Sequence, residues 1–240
     1  MAGSQGADRK AALLPAEDAR RTTIALFDLD RTLLPGSSLV ALAKALAGTG
    51  VVSRRQLVGA AVRDVQFRRL GATDAMASRA QSEALAAVAG VERTPLLELV
   101  HGIGADLAAT ITPGARMLLS RHLTAGDFCV LLSASPQELV EAVCSAVGAH
   151  RAVGTRGEVR ADRFTGRLDG PFCYGKGKVT RLRQALGPVD LSAAWSYADS
   201  VSDLPLLEAC GHPVAVNADR RLRTIAAARG WSIIDVHQSR

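Results

Sequence analysis

Five polar side chains stand where apolar runs of this 240-residue chain end, and with one lysine between them their types could do phosphoryl chemistry together. Asp28 and Asp30 close the apolar run 24–27, and side chains two apart on an extended chain point the same way. Two carboxylates that close call for a divalent cation, a shared proton or a phosphoryl group between them. Ser133 ends the apolar run 128–132, and Asp199 and Asp203 follow the run 193–198. Lys178 lies between these in sequence, at the start of a helical pattern. A phosphomonoester resists attack because its negative charge repels nucleophiles. A carboxylate can attack if a hard cation such as Mg²⁺ cancels that repulsion, and Asp28 and Asp199 are suitable oxygen ligands for it. Ser133 and Lys178 can hold phosphate oxygens. Asp30 can protonate the leaving group and later activate water, a role that needs a raised pKa.

The elements that must position these residues alternate between strand and helix. Strands are expected at 24–27, 128–132, near 152–153, at 193–198, 213–216 and 232–236. Helices are expected at 113–123, 136–147, from about 178 to 186, through 209 and at 219–229, and Gly157 and Gly166 suggest a hairpin. Such alternation implies an α/β fold: a Rossmann-like parallel sheet covered on both faces, with the polar strand ends meeting on one edge. Residues 37–111 interrupt the pattern with helices alone, at about 39–46, 53–70, 73–89 and 95–110. That stretch reads as an inserted all-helical cap, 22–36 and 112–240 as the core, and 1–21 as a frayed tail.

Composition narrows the function classes. The chain is 48% hydrophobic and 22% charged, which is globular. Its net charge of +6 is spread without long basic runs, and aromatics are 4%, so nucleic acid is not the expected partner. A mildly positive field suits a small anionic metabolite. Cys129, Cys144, Cys173 and Cys210 form no CxxC pair and read as reduced core thiols, and neither a signal peptide nor a membrane-length apolar run is present, so a cytoplasmic protein without stable membrane association is expected. Oligomeric state is not legible.

Asp28-Leu29-Asp30-Arg31-Thr32, Val130 to Ser133, Gly177-Lys178-Val179 and Tyr197-Ala198-Asp199 through Asp203 occur in the order of the four motifs of the haloacid dehalogenase (HAD) superfamily. From about Thr23 onward the chain resembles the phosphoserine-phosphatase-like subfamily IB, whose helical C1 cap follows the first motif. The resemblance implies a Mg²⁺-dependent phosphatase acting through an aspartyl-phosphate. Asp28 would be nucleophile and metal ligand. Asp30 would be general acid and base, with its main-chain carbonyl on the metal. Ser133, Lys178 and the amides of Leu29 and Ala134 would bind phosphate, Asp199 would ligate Mg²⁺, and Asp203 and Thr32 would support the site. Lys176 and Ser135 stay open as substitutes for Lys178 and Ser133. Phosphoserine phosphatases carry an acidic residue shortly after the first motif to meet the substrate's amino group; that position falls near Ser37 here, leaving Glu83, Glu92 or Glu98 as replacements. Arg31 and Arg68 could meet an anionic substrate, and His122 and His150 read as structural. Phosphoserine, amino-alcohol, sugar or polyol phosphates are candidate substrates. The alternatives are a phosphomutase, a lipid phosphatase served by the Leu- and Val-rich cap helices, and a non-catalytic phosphometabolite-binding protein.

Overall fold

The computed structural model describes residues 23–47 and 74–236. The tail and the helix expected at 53–70 lie outside the described residues. At the centre is β1 (Ile24–Asp28), all five residues buried. It pairs in parallel with β2 (Phe128–Pro136) on one side and β6 (Trp195–Ala198) on the other. Beyond them lie β3 (Arg151–Thr155), β7 (His212–Val216) and β8 (Ser232–Ile234), giving a six-stranded parallel sheet of order β3-β2-β1-β6-β7-β8.

The period of two in β1 sorts the core into two faces. Ala25 and Phe27 join a cluster with Leu131, Val140 and Val143, while Ile24 and Leu26 join one with Leu132, Leu182 and Leu206. Both faces are covered because both are apolar, as parallel sheets require. Helices α4 (Pro113–Ala125), α5 (Gln137–Val147), α6 (Lys176–Leu186), α7 (Leu204–Glu208) and α8 (Arg220–Ala228) do the covering. Thr112 caps α4 by accepting from the Ala115 amide, with Pro113 at its first position.

Between β1 and α4 every described element is a helix: α1 (Ser38–Ala47), α2 (Asp74–Val88) and α3 (Arg93–Ala109). None contributes to the sheet. However, α3 is not remote from it, since Val100, Ile103 and Leu107 share the core cluster of Phe27 and Val143. The contact is close enough that a Cβ at Gly104 would stand 2.4 Å from that of Ala142 on α5. The expected hairpin is β4 (Gly157–Arg160) and β5 (Arg163–Leu168), joined by Ala161 and Asp162 at φ 47° and 59°. Two left-handed residues in a two-residue loop match the strand twist. The hairpin leaves the sheet and binds the insertion: Gly90 N donates to Phe164 O at 2.8 Å and Phe164 N to Val91 O at 3.0 Å.

Two boundaries beside the polar strand ends differ from the sequence reading. β2 runs on to Pro136 instead of stopping at Leu132, with a register shift between those two residues against β3. Ser133 to Ser135 therefore lie on an irregular strand end, not in a loop. Helix α6 begins at Lys176, so Lys178 sits inside its first turn.

Candidate active site

Strand order reverses at β1: β2 and β3 lie to one side, β6 to β8 to the other. The crevice outside the C-terminal ends of strands at such a switch point is where open α/β sheets bind ligands. Asp28 ends β1 and Asp199 directly follows β6. Ser133 stands one residue beyond the Asp28–Leu132 pairing of β1 and β2.

Lys178 reaches the same point from α6. Its Nζ donates to Asp28 Oδ1 at 2.5 Å and to Asp203 Oδ2 at 2.8 Å, and all three residues are buried. The other oxygen of Asp28 accepts from Thr32 Oγ1 at 2.8 Å, so both ends of this carboxylate are held. Lys176, the alternative lysine, is exposed. Burial alone acts to lower the Lys178 pKa, but Asp203 and Asp28 outweigh it and hold the ammonium above its usual range.

Three carboxyl groups are raised as well, which in their case favours the neutral form. Burial raises Asp203 to about 6 against the opposing pull of Lys178. Burial, and then the charge of Asp28, push Asp199 well above the carboxylate range. Burial lifts Asp30 to about 6, partly countered by hydrogen bonds from Ser38 and reinforced by Asp28. Asp30 is thus a carboxyl group that can hold a proton near neutrality.

A divalent cation fits this arrangement. Ligand atoms of Asp28, Asp199 and Asp203 all lie within 4.8 Å of one another. Oδ1 of Asp203 is buried without a hydrogen-bond partner, although Lys178 Nζ is 2.8 Å away. Asp28, Asp30, Asp199 and Asp203 face the cationic side chains of Lys178 and Arg31, the latter 3.5 Å from Asp199 Oδ2, so carboxyl groups outnumber local cations. Hard oxygen donors in excess of local positive charge suit Mg²⁺. Asp203, assigned a supporting role from sequence, is part of this cluster, whereas the Asp30 carboxylate turns away to accept from the Ser38 amide at 3.0 Å.

Ser133 is buried and its Oγ accepts from the Ser135 amide at 3.1 Å. Ala134 lines the same cavity, while Leu29 is fully buried and its carbonyl accepts from the Leu33 and Leu34 amides in the turn after β1. Within that turn Arg31 has φ 62°, a left-handed conformation uncommon for a residue other than glycine. Asn217 stabilises it by donating from Nδ2 to Arg31 O at 2.8 Å. Of the carboxylates considered for an amino group, Glu83 lines the cavity, whereas Glu92 pairs with Arg163 and Glu98 is exposed. Arg68 lies outside the described residues. His150 Nδ1 accepts from the Cys129 amide, and buried His122 bridges Asp127 and Tyr197 OH at 2.6 Å each, so both are structural.

Ser38 and Asp219 were not singled out from sequence, and Ser135, the alternative to Ser133, takes a place of its own. Ser38 and Ser135 share a buried hydrogen bond of 2.6 Å, linking Asp30's partner to Ser133's partner across 97 residues. Asp219 holds the Asp199 loop: its amide donates to Asp199 O at 2.7 Å and its Oδ2 accepts from Val201 N at 3.0 Å. The helix-capping signal of Asp219 before Arg220-Arg221-Leu222 was visible; its second partner was not.

Comparisons with known proteins identify the family and the fold. The family model described as haloacid dehalogenase-like hydrolase matches residues 25–208. A Streptomyces azureus protein named inhibition of morphological differentiation protein is 36% identical over 220 residues, 90% of this chain and 79% of that one. A Mycobacterium tuberculosis protein named phosphoserine phosphatase is 35% identical over 225 residues, 91% of this chain and 72% of the relative. A Bordetella pertussis structure of unknown function superposes with TM-score 0.77 at 33% identity, covering 90% of this chain and 99% of that one. A phosphoserine phosphatase captured as a phospho-aspartyl intermediate analogue shares the fold at TM-score 0.63 and 16% identity, covering 91% and 95%. Motif order, sheet topology and these matches make the chain a haloacid dehalogenase-like hydrolase, and within that family a phosphoric monoester hydrolase of the phosphoserine-phosphatase-like type.

Proposed function

We propose that this chain hydrolyses a small phosphate monoester with Mg²⁺ bound, through a phosphoryl group carried on Asp28. The observation that carries the reading is the buried cluster of Asp28, Lys178, Asp199 and Asp203 at the switch point of the sheet. Asp28, Asp199 and Asp203 would hold the cation, which when bound neutralises charge between nucleophile and phosphate. Thr32 and Lys178 orient the Asp28 carboxylate. Its oxygen forms a bond to phosphorus as the bond from phosphorus to the ester oxygen breaks. Asp30 gives its proton to that leaving oxygen. It then takes a proton from water, which attacks phosphorus, releases inorganic phosphate and restores the Asp28 carboxylate. Ser133, Lys178 and the amides of Leu29 and Ala134 hold the phosphate oxygens in this reading.

Helices α1 to α3 would form the cap that closes over the edge and excludes water. A cytoplasmic setting suits the four buried free thiols. Phosphoserine itself is poorly served: the position where phosphoserine phosphatases place a carboxylate falls near Ser37, whose hydroxyl accepts from the Val40 amide.

The test is phosphate release from p-nitrophenyl phosphate, with and without Mg²⁺, by the natural chain and by Asp28→Asn. Mg²⁺-dependent release that the substitution reduces by at least a thousandfold supports the reading. Undiminished release by Asp28→Asn overturns the assignment of the nucleophile.

A further inference from the structure

The cluster described above forms only one end of a cavity of about 700 Å³. The rest of its wall has a different chemistry. Leu39 and Val40 of α1, Leu85 and Val88 of α2, Leu96 of α3 and Phe172 line it, and each is only partly buried. Ala80, Ala84 and Ala87 contribute further apolar wall from α2. Leu39 and Leu96 also pack on the core, yet all six side chains present apolar surface to the cavity. From sequence, the Leu- and Val-rich helices support a lipid phosphatase as an alternative reading. Their place on the cavity wall gives them a role beyond packing.

Charged wall residues away from the cluster are already engaged among the described residues. Glu83 pairs with Arg79 at 3.2 Å, Glu138 with Arg93 at 3.2 Å, and Arg31 lies 3.5 Å from Asp199. A substrate bearing an ammonium and a carboxylate would compete with these partners for charge, weakly at the exposed Glu83–Arg79 pair, and elsewhere would lose hydration against leucine and phenylalanine. An uncharged apolar group would instead gain by leaving water there. Its phosphate would remain at the polar end.

Building on the phosphatase reading, we infer that the substrate is a phosphate monoester whose organic part is uncharged and predominantly apolar, an alkyl or aryl phosphate and not a phosphorylated amino acid. The inference names the substrate class of the site already described.

The experiment measures kcat/KM for methyl, butyl, hexyl and octyl phosphate, and for O-phosphoserine, with the full-length protein and Mg²⁺. Transfer of methylenes to an apolar wall predicts a rise on the order of threefold to fourfold per methylene until the cavity is filled. Octyl phosphate should then exceed O-phosphoserine by at least a hundredfold. Leu85→Glu should reduce the ratio of the octyl to the methyl value by at least tenfold. Because that ratio is taken within one preparation, it does not depend on how much of the variant folds. A flat series, or O-phosphoserine as the best substrate, overturns the inference while leaving the phosphatase reading intact. Hydrolysis of none of these esters nor of p-nitrophenyl phosphate overturns both.

Discussion

At the scale of the residue, the site rests on carboxylates held for different tasks. Asp28 is fixed at both oxygens, whereas Asp30 is bound through one oxygen to Ser38 and lifted by burial to about 6. If Asp30 protonates the leaving oxygen, Asp30→Asn should lower kcat/KM, which reports the step that expels the alcohol, for alkyl phosphates by about 10² to 10⁴. The loss should be smaller for 2,4-dinitrophenyl phosphate, whose leaving group needs no proton; equal losses for both esters would contradict the general-acid role. Ser135 touches neither phosphate nor cation in this scheme, yet it bridges Ser38 and Ser133. Ser135→Ala should reduce kcat about threefold to tenfold, the worth of one hydrogen bond, with a smaller effect of Ser135→Thr. Lys178 is the most exacting position because it separates buried carboxylates. Lys178→Met should abolish turnover and lower stability by about 3–5 kcal/mol, read by denaturant titration without metal.

At the scale of the element, placement of Lys178 depends on how closely α6 approaches the loop before it. A Cβ at Gly177 would lie 1.9 Å from the carbonyl oxygen of Phe172, so no side chain fits without moving the first turn of the helix. Gly177→Ala should therefore cost about 1–3 kcal/mol and shift Lys178 away from Asp28, with kcat/KM falling at least tenfold. A fully active Gly177→Ala would show that the helix start tolerates displacement. Loops at the switch point are tied in the same way. Asp219 caps α8 and also holds the backbone around Asp199, so one residue couples a helix start to a proposed metal ligand.

At the scale of the molecule, burial controls the cysteine chemistry. It pushes the thiols of Cys129, Cys144 and Cys173 up to about 12 and that of Cys210 to about 11, from an ordinary 9.0. The folded chain keeps these protons where the unfolded chain releases them. Their contribution to stability is thus fully present below pH 9 and is lost as pH rises toward 11 and 12. Denaturant midpoints should fall between pH 9 and 11, and iodoacetamide at pH 8 should label the native protein slowly and the unfolded chain at all four cysteines. Rapid native labelling would mean that the thiols are reached without unfolding. Among the described residues no helix is long and apolar enough to cross a membrane.

What the amino-acid sequence determined by itself was the frame. Apolar runs ending in Asp28, Ser133 and Asp199 specify buried strands with polar tips, and their alternation with helices implies a parallel sheet that gathers those tips on one edge. Period and hydrophobicity are local properties, so they are legible without coordinates. Tertiary structure alone chose between Lys178 and Lys176, because a difference of two positions on a helix becomes a difference between the buried cluster and solvent. It also moved Asp203 into the carboxylate cluster and joined Ser38 to Ser135. Likewise it seated α3 on the core of the sheet and opened the cavity that the helical leucines line. Each of these depends on contacts between residues far apart in the chain, and such contacts exist only once the whole backbone has been placed.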